Sequence, residues 1–355
     1  MAEDNITIKQ MLDRLCSEGL VGEAGLRKIE TYLSERQKRA ADPVYIRLLS
    51  GFGAWVAAPF LFGFLILIDL IGKNPQSMLA AGVISLASAV ILAKIRRSAF
   101  LVQFALALSF AGHLLILYSL DTSLNYKIVG TLAIAQILLC LLVYPFFKNA
   151  VYRFAMPLLA VALVAAWIFI SKHYHALHIL VAFQTLSCGG LFLWKKEINA
   201  LKPLNYVFAV GLPATVALVV LLNIFEPGHI LTPYWPSTAI LASGMVCLLV
   251  LLAGGLDSLK KEWMVLAIAV SCLLGAFTTP GVLVAIGLLV LGYGKGDKIL
   301  TAVAFIFLPV FLVLFYYALD VSLLNKSYIL AGSGMALLLV RWALKQRPWA
   351  RELAQ

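Results

Sequence analysis

The sequence predicts an all-α membrane protein of about twelve transmembrane helices, arranged as out-and-back hairpins behind a small N-terminal cytosolic helical hairpin. Three observations carry that prediction. Of the 355 residues, 62% are hydrophobic and only 13% charged, a balance that leaves too little polar surface for a water-soluble domain. The apolar residues are gathered into runs of about 20, the length at which a helix crosses the hydrocarbon core with every backbone group bonded within itself. The basic residues cluster at alternate turns, as they do when one set of turns stays in the cytoplasm.

The first element is a cytosolic head, residues 1–43. Ile8, Met11, Leu12, Leu15 and Cys16 recur at helical spacing and Gly19 stops the run; Leu26, Ile29, Tyr32 and Leu33 form a second apolar stripe that ends before Pro43. Two short amphipathic helices joined by "GLVGEAG" make a hairpin too small to enclose a substrate pocket. Its amphipathic faces fit a docking module for a protein partner or for the protein's own inner loops. They fit equally a solubilising lead-in lying on the membrane surface.

Twelve spans follow within 44–343, near 48–71, 77–94, 99–120, 126–147, 154–171, 176–194, 205–223, 236–256, 263–278, 280–294, 298–319 and 327–343. The ninth and tenth are short and separated only by Thr278-Thr279-Pro280. A basic tail, 344–355, ends the chain. With the N-terminus inside, all of the 28 Lys and Arg residues fall on the inner side except Lys73, Lys127, Lys172 and Lys326. Missing one helix would scramble that asymmetry, so both termini are placed in the cytoplasm. The net charge of +11 is then a membrane signature, and anionic lipid headgroups explain "GLDSLKKEW" and "RWALKQRPWARELAQ" better than nucleic acid does. Cys140, Cys188, Cys247 and Cys272 lie singly in apolar runs with no CxxC pair, and read as small core hydrophobes.

The segment "IKQMLDRLCSEGLVGEAGLRKIETYL", followed by a long series of membrane helices, resembles the N-terminal region of bacterial multi-pass proteins grouped as domains of unknown function 2157 and 4401. Length and helix number resemble the 4401 type. That resemblance implies a multi-pass protein of the bacterial inner membrane and transfers no catalytic residue.

Internal similarity is visible as well. "YSLDTSL" (Tyr118 to Leu124) matches "YALDVSL" (Tyr317 to Leu323), each followed by Asn and Lys, and "LIDLIGKN" carries Asp69, Lys73 and Asn74 in similar order. "ASGMVCLLV" resembles "GSGMALLLV" on returning helices, where Gly130, Gly244, Gly332 and Gly334 permit close approach. Pro59, Pro157, Pro213 and Pro309 fall inside outward helices. The pattern suggests a repeated two-helix hairpin, an arrangement that places transporter sites between repeat units.

Chemistry is sparse. No Asp, Glu, Lys or Arg falls near the middle of a span, no phosphate-binding, dinucleotide, nucleophile-elbow or zinc-protease motif occurs, and no cofactor is implied. Gln103, Gln136, Gln184 and Asn223 are the most polar mid-span residues, a candidate polar lining, although amides serve more often as hydrogen bonds between helices. At the outer side, His113, His173, His175 and His178 gather with Asp69, Asp121 and Asp320 as a candidate cluster. A metal needs three or four converging ligands, so "KHYHALH" is read as a hydrated interfacial turn without metal. The expected function is a carrier or channel-like protein for an uncharged or amphipathic solute, and not an enzyme. The alternative is a membrane scaffold or sensor signalling through the cytosolic hairpin.

Overall fold

The computed structural model describes residues 44–68, 74–95, 98–123, 129–194, 200–225 and 233–318, with isolated positions before and after. Among them are eleven α-helices, a single 3-10 turn and no strand. These are α1 (Val44–Leu67), α2 (Pro75–Ile95), α3 (Ala99–Ser123), α4 (Val129–Val143), α5 (Ala150–Ile170), α6 (Ala176–Leu193), α7 (Lys202–Phe225), α8 (Trp235–Leu252), α9 (Glu262–Phe277), α10 (Pro280–Lys295) and α11 (Lys298–Ala318). Each lies where one of the first eleven spans is expected. The twelfth, 327–343, falls almost wholly outside the described residues, as do the head and the tail. Eight of the eleven are long and apolar enough to cross a membrane, whereas α4, α9 and α10 are shorter apolar helices.

Local sequence explains where the helices stop. The fourth span was expected over 126–147, but α4 ends at Val143 in a turn, because Pro145 has no N–H to donate and forces Tyr144 away from helical geometry. Asn149 then restarts the chain: its side chain accepts hydrogen bonds from the Val151 and Tyr152 N–H groups at the head of α5. Helix α5 closes with its last carbonyls capped by the following turn. The N–H of Lys172 reaches Phe169 O and that of His173 reaches Ile168 O, with Lys172 left-handed at φ 57°. Helix α10 ends the same way on Gly296, φ 66°. Asp297 follows directly and caps α11, its Oδ1 accepting from the N–H groups of Ile299 (2.9 Å) and Leu300 (3.1 Å).

The described chain forms two compact units, residues 1–119 and 120–355. The first contains α1, α2 and most of α3. Its closest approach is between glycines: a Cβ on Gly112 would stand 2.9 Å from the Gly82 carbonyl oxygen, so α2 and α3 cross backbone to backbone. Trp55 of α1 donates its indole N–H to Gln103 of α3 and packs edge-on against Phe110.

In the second unit α7 is central, packing on α5, α6, α10 and α11, while α8 packs on α6, α9 and α10. The most extensive consecutive contacts are α4 with α5, α6 with α7, α8 with α9, and α10 with α11. These pairs are joined at the lysine-bearing turns, where the sequence suggested pairs joined at the opposite set of turns. The α10–α11 connection is a two-residue link through Gly296 and Asp297. The shared core is formed by Val181, Phe208, Leu212, Leu241, Met245 and Phe311, among others. Of the four mid-span cysteines, Cys188 is buried in this core and Cys140 is buried within α4; Cys247 and Cys272 are exposed on helix surfaces and are not core residues.

Candidate functional site

The three histidines of "KHYHALH" differ in their surroundings. His173 and His175 are exposed in the turn before α6, while His178, one turn into the helix, is buried and its Nδ1 lies 2.7 Å from Ser237 Oγ of α8. The His175 and His178 rings are 6.5 Å apart, centre to centre. His113 is fully buried within α3, and Asp121 is half-buried near that helix's end. Asp69 and Asp320 lie outside the described residues. Among the described residues no three His, Cys, Asp or Glu side chains stand close enough to hold a metal ion.

The amides are each bonded locally. Gln136 of α4 is fully buried and donates to Met156 O of α5 at 3.1 Å. Gln184 of α6, also fully buried, donates to Thr215 Oγ1 of α7 at 3.0 Å. Asn223 donates back to Val219 O of its own helix α7. Gln103 belongs to the first unit and accepts from Trp55. Each amide is therefore a helix-to-helix or within-helix bond, as apolar surroundings require. The Gln184 side-chain oxygen, by contrast, is buried without a hydrogen-bond partner.

Two polar constellations were missed by sequence reasoning, both near helix ends. Tyr206 of α7 donates its hydroxyl to Asp297 Oδ2 at 2.7 Å, tying α7 to the α10–α11 link. Arg153 of α5 donates to the carbonyls of Phe147 (3.1 Å) and Tyr144 (3.2 Å), and its guanidinium lies 4.9 Å from the Tyr144 ring centre. Tyr144 in turn donates to Ala200 O at 2.6 Å. Burial pushes the Tyr144 phenol above its ordinary pKa, and the Arg153 charge pulls the other way. The available signals were "GKGD", a glycine followed by a capping acid, and "NAVYR", which puts an arginine inside a first helical turn.

A cavity of about 60 Å³ lies at mid-height between α6, α7, α8 and α10. Its wall is formed by Thr185, Cys188 and Gly189 of α6, Leu212 of α7, Gly244, Met245 and neighbouring leucines of α8, and the stretch from Leu283 to Leu291 of α10. A single water-sized sphere needs roughly 10–15 Å³ by such a measure, so the space admits a short apolar group. Three glycines create it. Beyond Gly189 nothing stands within 4 Å, and a Cβ on Gly287 would first meet Met245 Sδ at 3.9 Å. Gly244 is tighter, its Cβ position lying 2.8 Å from the Thr185 methyl. The Thr185 hydroxyl is bonded to Val181 O at 2.7 Å, so it presents that methyl inward.

No curated protein and no solved structure matches the chain. A family model does, over residues 43–347, which takes in all eleven helices. The chain therefore belongs to the family described as domain of unknown function DUF4401.

Proposed function

We propose that this protein is a carrier or channel-like protein for a small uncharged or amphipathic solute, seated in the bacterial inner membrane with both termini in the cytoplasm. The observation that carries the reading is the mid-height cavity between four helices, lined by Gly189, Gly244 and Gly287. An apolar wall disfavours a charged cargo, since an unpaired ion there would lose its hydration without recovering it. The helices around the cavity also include α7, interrupted by Pro213, and α7 rests on α5 and α11, which carry Pro157 and Pro309. A proline removes one helical hydrogen bond and supplies a bend where packing can shift. A carrier is proposed over an enzyme because the sequence holds no catalytic motif.

The test is permeability. Full-length protein in liposomes, followed by stopped-flow light scattering, is expected to raise acetamide and butyramide permeability above that of empty vesicles. Filling the cavity with Gly189→Leu and Gly287→Leu, both directed into open space, should remove the increment while leaving the protein folded. Permeability equal to empty vesicles for every neutral solute would instead favour the scaffold or sensor role, with residues 1–43 as the partner-binding output.

A further inference from the structure

Helices α6 and α8 pack side by side in the same direction and in matched register. His178 meets Ser237 at one level, and seven residues further along each helix Thr185 meets Gly244. Seven residues are two helical turns, so these contacts lie about 10 Å apart on a single heptad seam. Between them the seam is filled by Val181 and Leu241, both core residues. The cavity begins at the lower contact, since Thr185, Cys188 and Gly244 belong to its wall. The upper contact separates that wall from the turn where His173 and His175 are exposed.

The upper contact suits a neutral imidazole and resists a charged one. His178 is 7% exposed and Ser237 wholly buried, and Nδ1 and Oγ share a hydrogen bond of 2.7 Å. In either neutral tautomer that bond is satisfied: Ser237 donates to a bare Nδ1 or accepts from its N–H. The second nitrogen, Nε2, is enclosed and has no partner. An imidazolium carries a proton on both nitrogens, so its Nε2–H would be a buried charged donor with nothing to accept it. Each residue is also the third of its helix, where the positive end of the helix dipole opposes a cation. The helices packed on α6 are α5, α7 and α8. Their Lys, Arg, Asp and Glu residues are Arg153 and Lys202 alone, both at the opposite end. The titratable groups at this end are Lys172, His173, Tyr174 and His175 before α6, the His175 ring 6.5 Å away, and Tyr234 before α8. None of these is a carboxylate that could pair with the ring; Glu226 and His229 lie outside the described residues.

We propose that His178 and Ser237 form a proton-released clasp on the solute cavity. Neutral His178 holds the α6–α8 seam shut. A proton taken from water by its free ring nitrogen turns the side chain out toward the hydrated turn and parts the seam down to Thr185 and Cys188. The inference rests on the carrier reading and adds regulation of the same site. An imidazole in water titrates near pH 6.5, so lowering the pH from 8 to 5 favours the opened form by about 30-fold. One hydrogen bond holds the closed form by roughly ten-fold at most, so the proton outweighs the bond.

The test uses full-length protein in nanodiscs, spin-labelled on a cysteine-free background at Ile179 and Ala239, which are exposed on α6 and α8. Double electron–electron resonance reads their separation at pH 8 and pH 5. The population at longer distance is expected to rise at least ten-fold at pH 5. Ser237→Ala should show that population already at pH 8. His178→Gln, which keeps a neutral partner for Ser237, should show it at neither pH. A separation independent of pH in the parent, or a pH response that survives His178→Gln, overturns the clasp. If the glutamine variant does not fold, a closed seam in Ser237→Ala at pH 8 overturns it equally. Acetamide permeability of vesicles holding the same proteins separates the clasp from the reading beneath it, and should rise with the opened population. Permeability above that of empty vesicles but independent of pH overturns the clasp and leaves the carrier standing. Permeability equal to that of empty vesicles at both pH values contradicts the carrier, and the spin-label separation still decides the clasp.

Discussion

Single residues in this protein are best understood by what the backbone asks of them. Lys172 is, among the described residues, the one non-glycine with a positive φ. It holds that conformation because two carbonyls of α5 are satisfied by the turn it makes. Lys172→Gly should therefore stabilise the protein by about 1 kcal/mol, and Gly296→Ala should destabilise it by a similar amount, measured as thermal or denaturant midpoints in detergent. Tyr144 gives a pH-dependent counterpart. Its phenol is needed neutral to donate to Ala200 O, and burial raises its pKa. The stability it contributes is complete below the unfolded value near 10 and is lost as pH rises through the folded value. Tyr144→Phe should be less steeply destabilised above about pH 10 than the parent; identical alkaline profiles would remove Tyr144 from the account. At this scale the sequence revealed residue types better than their roles. Gln136 and Gln184 were recognisable as buried polar groups, but their partners, Met156 O and Thr215, depend on helix rotation, which apolar runs on all sides do not encode. Asp297 belongs to no motif, and its grip on Tyr206, far away in sequence, could not be read.

Helices were more legible than residues, for a physical reason. An apolar run bounded by charges has one way to satisfy its backbone in lipid, so eleven helices appear where spans were expected, eight of them long enough to cross a membrane, and the ninth and tenth are the short α9 and α10. What escaped was pairing. Hydrophobic helices carry no polar face to announce a neighbour, and small residues decide how closely they approach. Gly130 was marked as a point of close approach, and it does sit against the Trp167 indole; the Gly82–Gly112 crossing was not marked, although it is a tighter backbone contact. These positions make opposite predictions. Gly112→Ala must push α2 from α3 and should cost about 1–3 kcal/mol. Gly189→Ala meets open space and should be neutral or stabilising, since alanine favours the helix. Equal effects of the two substitutions on unfolding in detergent would mean that the α2–α3 crossing is looser than described. The repeat suggested by "YSLDTSL" and "YALDVSL" rests on 319–321, 323 and the twelfth span, which lie outside the described residues.

For the whole molecule, orientation and the cavity are the two claims that matter. The positive-inside pattern predicts that single cysteines at positions 74 and 125 react with an impermeant reagent from the outside, and one at 258 only after permeabilisation. External reaction at 258 would invert the turn holding Lys260 and Lys261 and reverse every assignment of inner and outer. The cavity has a built-in reporter, because Cys188 forms part of its wall while Cys140, equally buried, lies elsewhere in α4. The most direct measurement compares the rates at which a small, charged methanethiosulfonate modifies these two thiols in reconstituted protein, each as the sole cysteine. A carrier opens its central site to water, so Cys188 is predicted to react much faster than Cys140, and butyramide or Gly287→Leu should slow it. If Cys188 is modified no faster than Cys140, with or without solute, the cavity is a sealed packing gap and the carrier account is contradicted.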